Sequence, residues 1–470
     1  MLGYLILLFH LLGLVSAMHS LMSTRTSQGT IAWVVSLVTF PYLAVPAYWI
    51  FGRSRFNGYV IARRAKNRKT EVHARQVAEW LASFRIPEAK MPSIGKAAER
   101  LAGMPFLRGN RVHLLVDGEA TFESILQGVA SAREYILFQF FIVHDDEIGR
   151  RVKAKLIEKA GQGIRICFLY DEIGCRDLPA AYCEELRAAG IAVFSFNTRK
   201  GRGNRFQLNF RNHRKVVIVD GHTAWIGGHN VGDEYMGKST KFGHWRDTHV
   251  RIEGPAALEA QLSFVEDWHW AADSVPALNW SPAVSADGDQ PVLIVPSGPA
   301  DELETATLMF LHAINSARKR IWIATPYFVP DDSIIDALQL AGLRGVDVRI
   351  LIPDKPDHLL VFLAAYSYFA EAGRTGVRFF RYTDGFLPQK TMLIDDKVTL
   401  VGTANFDNRS FRLNFEITTV VVDPLFAANA ERMLGHDFDN AREMDPRELD
   451  EKFVGFKLAV RLARLTAPVQ

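Results

Sequence analysis

Two stretches of this chain carry the same set of reactive side chains. Residues 210–221 read FRNHRKVVIVDG and residues 385–396 read GFLPQKTMLIDD. In each, a Lys stands two places after a marked position and an Asp closes the run that follows: Lys215 and Asp220, then Lys390 and Asp395. The marked position is His213 in the first copy and Pro388 in the second. Downstream, at matching spacing, come Gly227, Gly228 and Asn230, and Gly402, Thr403 and Asn405. Alternation along HRKVVIVD predicts His213 and Lys215 on one face of a strand, where imidazole and ammonium converge on one phosphate. Lys supplies positive charge, and Asn230 and Asn405 supply amide donors, both suited to the added charge of five-coordinate phosphorus. Imidazole attack gives a phosphohistidine, and a second acid protonates the departing alcohol. This chemistry needs no metal or cofactor, and no cluster in the sequence has metal-ligand spacing.

The elements that position these groups are repeated as well. SAREYILFQFFIVHDDEIG from Ser131 matches SARKRIWIATPYFVPDDSI from Ser316, and GIRICFLYDE from Gly163 matches GVDVRILIPD from Gly345. Apolar strands alternate with helices in each copy, which predicts an α/β sheet in each. The long period excludes a solenoid. The expected architecture is two duplicated α/β domains, residues 111–285 and 286–450, packed about a pseudo-two-fold axis, with a site on that axis drawing equivalent groups from both.

The pattern HxKxxxxD followed by GGxN or GTxN, present twice, resembles the phospholipase D superfamily over residues 111–440. Within it, TPYFVPDD at 325–332, HWRDTHVRIEGP at 244–255 and GTANFDNRSFRLNFEI at 402–417 are similar to bacterial cardiolipin synthases. The resemblance implies a phosphatidyltransferase that condenses two phosphatidylglycerol molecules to cardiolipin and glycerol through a phosphatidyl-histidine. It makes His213 the nucleophile and position 388 the general acid and base. It also implies a carboxylate that orients each motif His. Asp247 is expected to orient His213, and Glu416 to serve position 388. Gly228 and Thr403 belong to the supporting motif, while Asp220 and Asp395 are expected to satisfy backbone or Lys groups at strand ends.

Pro388 departs from that pattern, since proline has neither a titratable group nor a backbone N–H. Losing a positioned acid removes about 10²–10⁴ in rate. Four readings follow: an inactivated variant of an active enzyme, an enzyme with a substitute acid among His229, His358 and His144, a silent protein that binds anionic phospholipid or pairs with an active paralogue, or an error in the sequence. Another phospholipase D-type transferase or hydrolase is the nearest enzymatic alternative.

The composition is that of a globular chain, and the net charge of +3 is too small for a nucleic-acid coat. Cys167, Cys175 and Cys183 are expected to be reduced thiols. Residues 1–22 and 30–51 contain no Asp, Glu, Lys or Arg, which predicts two transmembrane helices forming a hairpin. Pro41 and Pro46 kink the second, and Trp33 at one end with Tyr48 and Trp49 at the other form aromatic belts. The basic residues Arg53, Arg55, Arg63, Arg64, Lys66, Arg68 and Lys69 place the catalytic domains on the cytoplasmic side of the inner cell membrane. Residues 52–110 read as a basic linker with an amphipathic helix. The basic run 199–215 is expected to attract anionic headgroups. The tail 451–470 reads as an amphipathic helix suited equally to a membrane surface or to docking on the protein. Tyr327 and Phe328 suit either a substrate pocket or the core.

Overall fold

The computed structural model describes residues 2–23, 26–52, 56, 59, 79–197 and 209–470. Arg25, the basic residues 53–69 and most of the basic run 199–215 lie outside the described residues. Three helices open the chain: α1 (Leu2–Ser23), α2 (Ser27–Thr39) and α3 (Pro41–Phe51). After α4 (Gly95–Ala102) and β1 (Leu107–Val116), the first copy runs α5 (Asp117–Ser131), β2 (Tyr135–Phe140), α6 (Glu147–Gly161), β3 (Arg165–Asp171), α7 (Ala180–Ala188) and β4 (Ala192–Phe196). It finishes with β5 (Arg211–Asn212), β6 (Val216–Val219), β7 (Thr223–Gly227), β8 (Thr248–Glu253) and α8 (Ala256–Ala272). The second copy begins β9 (Gln290–Ser297), α9 (Thr305–Ser316), β10 (Arg320–Ala324), β11 (Phe328–Val329), α10 (Asp332–Leu343), β12 (Asp347–Pro353), α11 (Leu359–Gly373) and β13 (Arg378–Tyr382). It ends β14 (Thr391–Ile394), β15 (Val398–Gly402), β16 (Phe406–Asp407), β17 (Asn414–Val422) and α12 (Pro424–Asp439), before edge strand β18 (Ala441–Glu443) and the C-terminal α13 (Val454–Arg464).

Both copies join one sheet in the order β18-β13-β12-β10-β14-β15-β17-β9-β1-β8-β7-β6-β2-β3-β4. Outward from the central antiparallel β1–β9 pair, β8-β7-β6-β2-β3-β4 on one side repeats as β17-β15-β14-β10-β12-β13 on the other. The order is therefore that of a pseudo-two-fold about the β1–β9 pair. The local sequence explains the repeated elements. Asp146 caps α6 by accepting from the Gly149 N–H, and its counterpart Asp331 caps α10 by accepting from the Ile334 N–H. β2 is buried along its whole length, as a strand with both faces covered must be.

The two copies also exchange backbone around the motifs. β5 pairs in parallel with β17, aligning Arg211 with Asn414, and the His213 N–H donates to the Phe415 carbonyl at 2.9 Å. At the equivalent place Phe386 pairs in parallel with Trp245, and the Arg246 N–H donates to the Phe386 carbonyl at 2.9 Å. For this reason HRKVVIVD is not one strand. Residues 213–215 bridge β5, held by the other copy, to β6, which starts at Val216.

The N-terminal region differs from a simple hairpin. α1 is the one described helix long and apolar enough to cross a membrane. The second apolar run is divided at Phe40, where Pro41 cannot continue the preceding helical hydrogen bonds. At 1.5 Å per residue, α2 and α3 reach only about 20 Å and 17 Å. They fold against each other, so Trp33 lies 5.2 Å from Tyr48, ring centre to ring centre, rather than at an opposite end. His19 and Trp49 complete this aromatic cluster. Beyond α3, Phe56 is fully buried among Phe210, Trp270 and Phe415, and the Tyr59 hydroxyl donates to Asp267 at 3.0 Å.

Candidate active site

Glu416 on β17 orients His213. Its two carboxylate oxygens lie 3.0 and 2.9 Å from His213 Nδ1, so Nδ1–H donates and Nε2 keeps its lone pair. Thr403 Oγ1 donates to Glu416 at 2.6 Å and Asn414 Nδ2 at 3.1 Å. Burial raises the Glu416 pKa, but the adjacent His213, with Lys215 and the Thr403 hydroxyl, outweighs it and holds the carboxylate below its ordinary value. His213 is itself pulled down to about 4 by burial, against the pull of Glu416 and with the help of Lys215. At neutral pH it is therefore an uncharged imidazole, the form that attacks. Phe141 covers one side of the ring at 5.0 Å between ring centres.

The two motif lysines take equivalent positions. Lys215 Nζ donates to the His213 carbonyl at 2.7 Å, and Lys390 Nζ donates to the Pro388 carbonyl. Burial pushes both ammonium groups down, Lys215 well below its ordinary value and further lowered by Lys390. Glu416 opposes the shift at both. An anionic phosphate between them would restore the missing negative charge.

Asp247 corrects the expected pairing. It makes no hydrogen bond to His213. Its Oδ1 accepts from the Thr248 N–H at 2.7 Å, and its fully buried Oδ2 has no partner among the described residues. Asp247 stands to Pro388 as Glu416 stands to His213, because Arg246 pairs with Phe386 and the Thr248 hydroxyl donates to Gln389 at 3.0 Å. The carboxylates are thus crossed: each motif position receives the acid of the other copy. The cause is the backbone exchange, which carries each motif segment onto the other copy's strand. A histidine at 388 would face Asp247 in the position that Glu416 takes toward His213. Gly228 is glycine for the same local reason, since a Cβ there would meet Asp247 Oδ1 at 2.0 Å.

The remaining expected residues divide. Asn230 Oδ1 accepts from the Ile142 N–H at 3.1 Å and its Nδ2 donates to the Tyr235 hydroxyl, whereas the Asn405 Oδ1 is buried and unpaired among the described residues. Asp220 takes the N–H groups of Arg133, Glu134 and Tyr135, and Asp395 those of Arg318, Lys319 and Arg320. Both adopt positive φ, near 53° and 50°, and both fasten the start of a strand rather than the reacting centre. Phe328 is core, while the partly buried Tyr327 donates its hydroxyl to Asp357.

None of the three alternative histidines bonds to Asp247, Lys390 or His213 among the described residues. His229 is fully buried with Nδ1 3.0 Å from His249 Nδ1, and burial holds it down to about 3, so at neutral pH it is an uncharged imidazole and not an imidazolium acid. His358 is exposed at the start of α11, and His144 sits beside Gly232.

Behind the nucleophile lies a network that the motifs did not announce. Asp267 on α8 binds Arg214 Nη1 at 2.9 Å, Asn212 Nδ2 and Gln139 Nε2 at 2.8 Å each, and the Tyr59 hydroxyl. Arg214 Nε also donates to the Glu416 carbonyl at 3.0 Å, tying the segment around His213 to its orienting acid. The second copy answers with Asp437, which binds Arg246 and Gln389. The repeat itself was the available signal: Gln389 and Arg214 hold the same motif position, and each finds an acid on the helix that ends its copy.

Comparison with known proteins shows the family of the chain. The family described as "Cardiolipin synthase, PLD-like domain" matches residues 125–268 and 310–438, and "Phospholipase_D-nuclease N-terminal" matches residues 4–53. The chain is 48% identical to cardiolipin synthase A of Pseudomonas fluorescens (strain SBW25), over 100% of this chain and 98% of the relative. It is 47% identical to cardiolipin synthase A of Pseudomonas putida (strain W619), over 99% and 98%. Among solved structures, phosphatidylserine synthase of Haemophilus influenzae shares the fold with a TM-score of 0.60 at 15% identity, over 81% of this chain and 100% of that one. Polyphosphate kinase of Porphyromonas gingivalis aligns with a TM-score of 0.51 at 14% identity, over 77% and 54%. The chain belongs to the bacterial cardiolipin synthase family of the phospholipase D superfamily.

Proposed function

We propose that this chain is a membrane-attached phosphatidyltransferase that joins two phosphatidylglycerol molecules into cardiolipin and releases glycerol, slowed by Pro388. The observation that carries the reading is His213 with its Nδ1 held 2.9 Å from the Glu416 carboxylate, beside two buried lysines contributed by the two copies. His213 Nε2 attacks the phosphorus of one phosphatidylglycerol, and the phosphorus–oxygen bond to the terminal glycerol breaks. Lys215 and Lys390 balance the charge that builds on the phosphoryl oxygens. The departing alkoxide takes its proton from water, because position 388 has none to give. The terminal hydroxyl of a second phosphatidylglycerol then attacks the phosphatidyl-histidine and gives its proton to water, the phosphorus–nitrogen bond breaks, and His213 is regenerated.

The N-terminal helices attach the protein to the inner cell membrane, and the basic segment after them favours a cytoplasmic catalytic body. The decisive experiment measures cardiolipin formation from labelled phosphatidylglycerol by membranes carrying this chain and by the Pro388→His variant. The variant is expected to gain about 10²–10⁴ in rate. Equal turnover would refute the role assigned to position 388, and absence of cardiolipin from both would refute the reaction.

A second reading is supported by two buried lysines beside a position 388 that has no titratable group: a protein that holds anionic phospholipid without turning it over. Phosphatidylglycerol binding with no labelled covalent intermediate on His213 would favour it.

A further inference from the structure

α13 is docked by one face and carries an apolar stripe on the other. Val460 and Ala463 are buried, Phe456 stacks edge-on against Tyr366 of α11 at 5.2 Å, and Arg464 pairs with Glu371 at 3.1 Å. On the outward face, Val454, Leu458, Leu462 and Leu465 are 80%, 58%, 57% and 76% exposed. At helical spacing these four lie together, with Arg461 at their edge and Lys457 beyond it. Residues 453–470 contain Lys457, Arg461 and Arg464 and no acidic residue. Arg461 makes no ion pair among the described residues.

A second exposed apolar patch lies on α11, the helix against which α13 docks. Leu359 and Leu360, 67% and 48% exposed, open α11 immediately after Asp357 and His358, which contact Tyr327. One turn further Phe362 meets Tyr366, which meets Phe456, which meets Phe453. These rings, with Tyr366 buried between them, tie α13 to α11 beneath two separate exposed apolar patches.

We infer that α13, with Leu359 and Leu360, is a lipid-contact surface that seats the catalytic body on an anionic bilayer, as a second attachment besides the N-terminal helices. A bilayer surface satisfies both halves of the stripe: the leucines enter the acyl boundary, and Arg461 and Lys457 lay their stems along it and place their charges among phosphates. A protein partner covering the leucines would bury Arg461 at the edge and would need to supply an acid for it. The inference rests on the membrane attachment proposed above but not on catalysis.

The test uses the full chain with Leu462→Cys, carrying an environment-sensitive fluorophore, in a background with Cys167 replaced by Ser. The protein is placed one chain per nanodisc, in phosphatidylcholine alone or with phosphatidylglycerol, each with and without brominated acyl chains. The expected result is quenching by bromine that is several-fold stronger when phosphatidylglycerol is present and is reduced by Lys457→Glu with Arg461→Glu. A label at Val284→Cys, on an exposed loop, should stay unquenched. Leu458→Cys supplies a second reporter if Leu462→Cys is poorly produced. A label at either helical position that reads as water in both discs overturns the proposal. So does protection from water without bromine quenching, which would mean that protein covers the stripe. The readout is independent of turnover, so it separates from the fate of the Pro388 experiment.

Discussion

The crossed carboxylates give His213 and position 388 separable dependencies. In the Pro388→His background, Glu416→Gln should replace the carboxylate with an amide that can also donate, release the His213 tautomer and cost about 10²–10⁴ in single-turnover formation of the phosphatidyl-histidine. Asp247→Asn should leave that step nearly unchanged in the chain as it stands, and should slow only the variant that carries a histidine at 388. Rapid-quench measurement of the labelled intermediate checks both, and equal effects in the two backgrounds would defeat the crossed assignment. The buried imidazoles also set a pH dependence of stability. His213 and His229 are held at about 4 and 3, and His249 well below its ordinary value, all chiefly by burial. Each is lower folded than unfolded, so its contribution is intact above about pH 6.5 and is lost as pH falls, at about 1.4 kcal/mol per unit per group. Asp171 and Asp407, raised by burial to about 6, act in the opposite sense below that pH, as do Glu259 and Asp437, which burial also raises. Between pH 6.5 and pH 5, His229→Gln should therefore lose less melting temperature in detergent, or gain more, than the chain as it stands. The residue types of the site were legible in the sequence, His213, Lys215, Lys390 and Thr403 among them. Which acid served which histidine was not, because both copies repeat at similar spacing and a linear pattern does not record that two strands change partners.

At the scale of elements, that exchange explains why the site needs both copies. Thr403 at the end of β15 and Asn414 at the start of β17 hold Glu416 ready for a histidine that arrives from β5. Thr403→Val should leave a buried carboxylate oxygen short of a donor and cost about 1–3 kcal/mol in stability, measurable by denaturant titration. The alternation of strand and helix was readable from apolar runs, and so was the duplication. Two elements departed from their pattern for reasons of backbone chemistry. The second apolar run turns back at Phe40 because Pro41 lacks a donor, and the strand expected to carry His213 begins only at Val216. α13 is the reverse case: its amphipathic pattern was visible, but only the packed structure decides that Val460 and Ala463 face inward while the leucines face out.

For the whole molecule, the central β1–β9 pair and the exchanged segments make the copies interdependent. A cut within the exposed loop near Val284 should leave two fragments that remain together through β1 and β9. Either fragment alone should be inert even with Pro388→His, because His213 would be separated from Glu416. Co-purification and a cardiolipin assay check this, and activity in an isolated fragment would refute it. Phe56 has a different consequence. Between Phe51, the last residue of α3, and Phe56, locked in the core beside Phe415, the chain spans at most about 18 Å even if fully extended. With the N-terminal helices in a bilayer, the catalytic body is leashed within roughly the depth of the headgroup layer. Encounter with substrate then becomes traffic in a plane instead of a volume. The rate should follow the mole fraction of phosphatidylglycerol in the membrane that holds the protein, and adding further lipid vesicles to the solution should leave it unchanged.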